Sequence, residues 1–172
     1  MVFRPCLIAV ALCSACVLNS AFAAPAAVVQ GVAQRADVTL ELANQLLNAT
    51  LAACHKQGLT GVAAVVDRGG NLVALQRDDN VGPHNTLAAQ RKAFTALSTK
   101  TTSRELSERA RSNKDSQNLN TLDELLLLGG GVPLKINNQV IGAIGVAGAG
   151  GAETDEGCAL EAISQLLPTA KE

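Results

Sequence analysis

From Thr39 onward the chain alternates between two hydrophobic rhythms. Leu42, Leu46, Ala49 and Ala53 recur at steps of three and four, with Ala43, Leu47, Thr50 and Cys54 beside them. That spacing predicts a helix over Thr39–Gln57 with a wide apolar stripe. Thr39 suits its N-cap, Glu41 its positive end, and Gly58 its stop. Thr60–Asp67 and Leu72–Asp78 then read as strands joined through the turn residues Arg68-Gly69-Gly70-Asn71. A second helix is predicted over Leu87–Thr99, capped by Asn85 or Thr86, with Ala89, Ala93 and Ala96 forming a small-residue face. Thr102-x-x-Glu105 has the form of a capping box for a third helix, Ser103 to about Ser112. Asn113–Asn120 reads as a polar loop.

A long, largely apolar stretch runs from Leu125 to Gly151. Val132–Ile136 and Gln139–Val146 flank Asn137-Asn138, a pair that tolerates the positive φ a two-residue hairpin loop requires. The second of these strands is apolar on both faces and should be covered on both sides. The segment from Thr121 begins like a capping box but meets Gly129 after four leucines. This predicts one helical turn followed by a short strand. The last helix is placed over about Thr154–Leu167, with acids at its start and Pro168 closing it. The order α-β-β-α-α-β-β-β-α implies a mostly antiparallel sheet covered by helices.

The first 23 residues have a different character. Arg4 precedes the apolar run Cys6–Leu18, which is shorter than the about 20 residues that span a bilayer, and Ala21-Phe22-Ala23 has a small-x-small cleavage pattern. This predicts a signal peptide over 1–23, a flexible lead-in over 24–37 and one domain over 38–169, exported to a periplasmic or secreted location. A lipoprotein reading at Cys16 is weaker, because Cys13 stands where leucine is usual. Two cysteines, Cys54 and Cys158, lie outside the leader. An oxidising compartment permits a bridge between them, and their separation in the fold decides it.

Charge and composition narrow the function. The chain is near neutral and has three Phe, no Trp and no Tyr, against the basic, aromatic surface that nucleic acids require. Gly148-Ala149-Gly150-Gly151 sits between strand and helix, but Glu153 replaces the third glycine of a dinucleotide fingerprint and acids crowd the helix start. No His/Cys set has structural-zinc spacing, and acyl-transfer chemistry finds no nucleophile with a base, so no catalytic residue is assigned. The candidates are two imidazoles, two cations and a glycine turn. His55 follows Cys54 late in the first helix, where a dipole contact is the ordinary role and an axial ligand the other. His84, after Gly82-Pro83, could ligate a metal or accept a proton; a surface-loop or capping role is the ordinary one. Arg77 and Lys92 would clamp a carboxylate or propionate if both faced Gly129–Gly131, with Gly130 and Gly131 lining the opening; otherwise they are surface charges.

Several stretches together carry a resemblance. VVDRGGNLVALQRDD (Val65–Asp79), RKAFTA (Arg91–Ala96), Gly129–Gly151 and Asp155 resemble the GlcG/HbpS-type family of haem-binding proteins, over about Val38–Leu167. A related domain ends PduO-type cobalamin adenosyltransferases. The resemblance implies a profilin-like α/β (α+β) fold with a five-stranded antiparallel sheet, helices on both sides, and compact homo-oligomers. It implies haem or a related tetrapyrrole as ligand, held by a His near the first helix or the pocket mouth, and a role as extracytoplasmic haem sensor or scavenger. Other members stand beside glycolate or diol catabolism. Three functions are consistent with the sequence: an exported haem-binding protein, a protein or enzyme for a small organic acid, and a ligand-free oligomeric scaffold.

Overall fold

The computed structural model describes residues 31–167. The predicted leader lies outside them, as do Pro168 and the residues after it. The chain divides into two units between Gln34 and Arg35; of the first, residues 31–34 are described, and they are exposed and irregular. Among the described residues, every regular element lies in the second unit.

Its elements are α1 (Leu40–His55), β1 (Val62–Asp67), β2 (Leu72–Arg77), α2 (His84–Thr99), α3 (Ser103–Ser112), the single turn α4 (Lys114–Gln117) running into a 3-10 turn (Asn118–Thr121), β3 (Gly131–Ile136), β4 (Gln139–Ala147) and α5 (Ala152–Leu166). The strands form one antiparallel sheet in the order β2-β1-β4-β3. Local signals set most boundaries. Thr39 Oγ1 accepts from the Leu42 amide at 3.2 Å to cap α1, and Thr102 Oγ1 accepts from Glu105 N at 3.2 Å to cap α3. Asn137 and Asn138 take φ of 47° and 63°, the left-handed pair expected of the hairpin loop.

Three expectations need correction. Among the described residues the sheet has four strands and not five. The segment expected to add a strand, Leu122–Leu128, spends its backbone groups on side chains instead. Arg91 donates to Leu125 O at 2.6 Å, Leu126 N donates to Thr95 Oγ1 at 2.8 Å, and Ser103 Oγ donates to Leu128 O at 2.8 Å. With those groups satisfied, a fifth ladder has nothing to gain. Helix α2 begins at His84, three residues before the predicted Leu87, because Pro83 supplies a pre-set φ of −59° at its start. The expected loop after Ser112 is wound into α4 and the 3-10 turn, where Asn113 Oδ1 caps Asp115 N and Ser116 N.

The two faces of the sheet are built differently. On one, Val65, Leu134, Ile144 and Val146 pack with Leu46 and Leu47 of α1 and Ala159 of α5. The disulfide between Cys54 and Cys158, with Cα atoms 5.4 Å apart, joins those two helices. The other face is nearly flat: Ala64, Ala143 and Ala147 meet Ala89, Ala93 and Ala96 of α2. Here the backbones touch. A Cβ added at Gly145 would fall 2.1 Å from Ala89 O, and one at Gly131 2.1 Å from Lys92 O. Glycine at 145 is therefore a packing requirement. Gly145→Ala must lift α2 off the sheet and is expected to cost about 2–3 kcal/mol, read as a lower urea midpoint with unchanged m.

Candidate functional site

The glycine turn before β3 does not open into a pocket. Gly130 and Gly131 are buried, and a Cβ at Gly130 would fall 2.4 Å from Val146 O and 3.0 Å from Lys92 Nζ. Lys92 is the reason. Its side chain is 2% exposed, and its ammonium donates to Asp155 Oδ2 at 2.7 Å and to Val146 O at 2.9 Å. Asp155 Oδ1 accepts from Ala149 N at 2.8 Å. The charge expected to meet a ligand instead joins α2, the end of β4 and the start of α5. Sequence alone could not show it, since Asp155 lies 63 residues away.

Arg77 is directed elsewhere again. Its guanidinium donates to Thr86 Oγ1 at 2.9 Å, to Gly82 O at 3.4 Å and to Val81 O. It straps the loop 81–83 to the first turn of α2, on which His84 stands. Arg77 and Lys92 therefore form no common clamp. His55 Nε2 lies 2.9 Å from Asp78 Oδ2, which also accepts from Gly61 N at 2.9 Å. This contact ties the end of α1 to the end of β2 and engages one ring nitrogen. His84 is exposed and has no hydrogen-bond partner among the described residues. Of the two imidazoles it is the free one.

His84 begins an outward stripe on α2. His84, Leu87, Arg91 and Phe94 recur at steps of three and four and so share one face. Leu87 is 59% exposed. Leu87, Gln90, Arg91, Phe94, Asp123 and Glu124 line an open hollow of about 360 Å³. Arg91 spends one terminal nitrogen on Leu125 O, while its Nε is buried with no partner among the described residues. A second hollow, about 350 Å³, lies at the other end of α2 between Arg35, Arg68 and Lys100. A third, about 330 Å³, lies between the β3 edge and α5 and is lined by Pro133, Leu160 and Ile163 among others. His84, His55, Arg77, Lys92, Gly130 and Gly131 line none of these three. Among the described residues no three His, Cys, Asp or Glu side chains converge as a metal site, and no helix is long and apolar enough to cross a membrane.

Two carboxylates and their partners fix the surroundings. Burial pushes the Asp67 carboxyl up, but the Asn71 side chain and the amides of the 69–71 turn hydrogen-bond it and leave it below the ordinary carboxylate value. Glu156 meets Arg104 at 3.1 Å and raises the guanidinium pKa further, which fixes α3 against α5.

Residues 38–164 match the family model described as haem-degrading protein HbpS-like. The chain belongs to this family. Among solved structures, HbpS of Streptomyces reticuli, as a double glutamate-to-aspartate mutant, superposes with a TM-score of 0.75 at 36% identity, over 84% of this chain and 98% of that one. The ORFY protein of Klebsiella pneumoniae gives 0.72 at 30% identity, over 85% of this chain and 100% of that one. A PduO C-terminal domain in complex with haem gives 0.70 at 23% identity, over 79% and 99% of the two chains, and speaks for the fold alone. Protein GlcG of Escherichia coli K12 is 34% identical over 110 residues, 62% of this chain and 81% of its own. The helix-flanked antiparallel sheet of this HbpS-like protein is the fold that its relatives share.

Proposed function

We propose that this protein binds haem on the outer face of α2, outside the cytoplasm. The observation that carries the reading is the free imidazole of His84 at the head of a stripe containing Leu87, Arg91 and Phe94. Haem needs an axial donor, an apolar surface and a counter-charge for its propionates. His84 offers the first, Leu87 and Phe94 the second. Arg91, which lines the same hollow, supplies the cation. These residues fit the group. Asp123 and Glu124 at the rim repel carboxylates, so the propionates belong on the Arg91 side. Arg77 is a positioning residue, because it holds the loop from which His84 projects.

An open hollow of about 360 Å³ covers only part of a tetrapyrrole. A second copy of the chain is the cover we assign to the other face, which makes a homo-oligomer part of the reading. Support for an extracytoplasmic setting comes from the Cys54–Cys158 bridge, since such bonds persist in oxidising compartments. The N-terminal segment with its signal-peptide pattern agrees with that.

Haemin titration of the apo-protein is the test. A saturable Soret shift near one haem per chain is expected, abolished in His84→Ala and retained in His55→Ala. A shift that survives His84→Ala rejects this ligand, and a non-saturating spectrum in the wild type rejects haem binding. Light scattering on the haem-loaded protein must show an oligomer; a strict monomer rules out the covering copy.

A further inference from the structure

The hollow at the C-terminal end of α2 carries a different chemistry. It is lined by Arg35, Arg68 and Lys100 together with Phe94, Leu97 and Val140, and among the described residues no acidic side chain lines it. The chain as a whole has 15 acids against 14 bases, so three cations around one apolar floor are not a sample of the average surface. The three come from unconnected parts of the chain. Arg35 precedes α1; Arg68 lies in the β1–β2 turn, where its amide donates to Asp37 Oδ1 at 2.9 Å and its guanidinium to Ala36 O at 3.3 Å. Lys100 closes α2. Two acids adjoin the cations along the sequence: Asp67, whose carboxylate is held by the 69–71 turn, and Asp37, whose Oδ1 accepts from the amides of Val38 and Arg68.

Lys100 supplies a second observation. It is the C-cap of α2 and takes φ 57°, ψ 19°, the left-handed conformation that glycine adopts with least strain. A lysine here gives up backbone ease and places a cation at the hollow. A cation also suits the end of a helix dipole. That role needs no neighbouring Arg35 and Arg68 and no apolar floor.

We propose that this hollow binds a carboxylate carried on a flat apolar body, at a site separate from the imidazole end of α2. Guanidinium and ammonium groups take the carboxylate; Leu97 and Val140 take the apolar body, against one side of Phe94, which also borders the hollow beside Leu87 and Arg91. His84 and Leu97 are thirteen residues apart on the helix, about 20 Å along its axis. That is further than a haem iron stands from its own propionates, so one haem cannot use both ends.

The probe is 2-naphthoate, with neutral 2-naphthamide as its uncharged counterpart, followed by amide NMR shifts of the oxidised full-length protein. Saturable shifts centred on Gly69 and Ser98 are expected with the acid, and at least tenfold weaker binding of the amide. Lys100→Gly is expected to raise Tm while weakening naphthoate at least fivefold, and Arg68→Gln to weaken it similarly. Equal binding of acid and amide, shifts centred elsewhere, or unchanged affinity in Lys100→Gly would overturn the site. Haemin also carries carboxylates on a flat body, and a separate arm tells the two apart. The haemin Soret shift is expected to be unchanged in Lys100→Gly. Its loss there, with naphthoate displaced by haemin, would make the hollow the propionate end of the haem site and end the claim of separateness.

Discussion

Lys92→Ala is expected to cost about 3–5 kcal/mol of folding stability, the range for removing one partner of a buried ion pair. Lys92 and Asp155 are 2% and 3% exposed. Without the ammonium, the carboxylate keeps a single donor, Ala149 N at 2.8 Å, and Val146 O loses its contact with Lys92. The alanine also leaves a void where a long side chain ran between α2 and the sheet. Adding Asp155→Asn on a Lys92→Met background removes both charges, keeps an acceptor for Ala149 N and refills the volume. At least half of the loss should return. Since the chain has no Trp or Tyr, urea unfolding followed by far-UV circular dichroism is the suitable measurement. A cost below about 1 kcal/mol for Lys92→Ala would show that the pair does not hold α2, β4 and α5 together.

Such a pair explains what the sequence made legible and what it hid. Where structure is decided within four or five residues, the pattern sufficed. Thr39 and Thr102 cap the helices expected of them, and Asn137-Asn138 turns the hairpin. Where a distant partner decides, the same residues are ambiguous. A glycine lacks a Cβ whether a ligand or a helix approaches it; only the position of Lys92 O, 2.1 Å from a Cβ at Gly131, shows that the visitor is α2. The four leucines of Leu125–Leu128 look like a strand until Arg91, Thr95 and Ser103 are seen to hold their backbone. Lys92 reads as a surface cation until Asp155 is found beneath it. His55 looks like a helix-end histidine, and its partner Asp78 is 23 residues on. The cationic hollow was invisible for the same reason, because its three charges belong to a lead-in, a turn and a helix cap.

Removing the disulfide is expected to cost about 4 kcal/mol, within the 2–5 kcal/mol typical of native bridges. The bridge closes a loop of 104 residues, and long loops lose most entropy in the unfolded chain when they are tied. The comparison is Cys54→Ala/Cys158→Ala against the oxidised wild type, by urea unfolding. Reduction of the wild type by dithiothreitol should give a similar loss. The fold should survive, because Leu46, Leu47 and Ala159 still pack across the same layer without the sulfur atoms. Location then separates stability from binding. The bridge lies in the α1/α5 layer, while His84, Leu87 and Phe94 stand on α2, across the sheet. The double variant should therefore bind haemin as the wild type does, at temperatures where both are folded. Loss of the Soret shift in a folded double variant would mean that the α1/α5 layer, and not the face of α2, supports the haem. Equal stability of the two proteins would mean that the bridge does not constrain the unfolded chain, and the argument from it for an oxidising compartment would fall with that result.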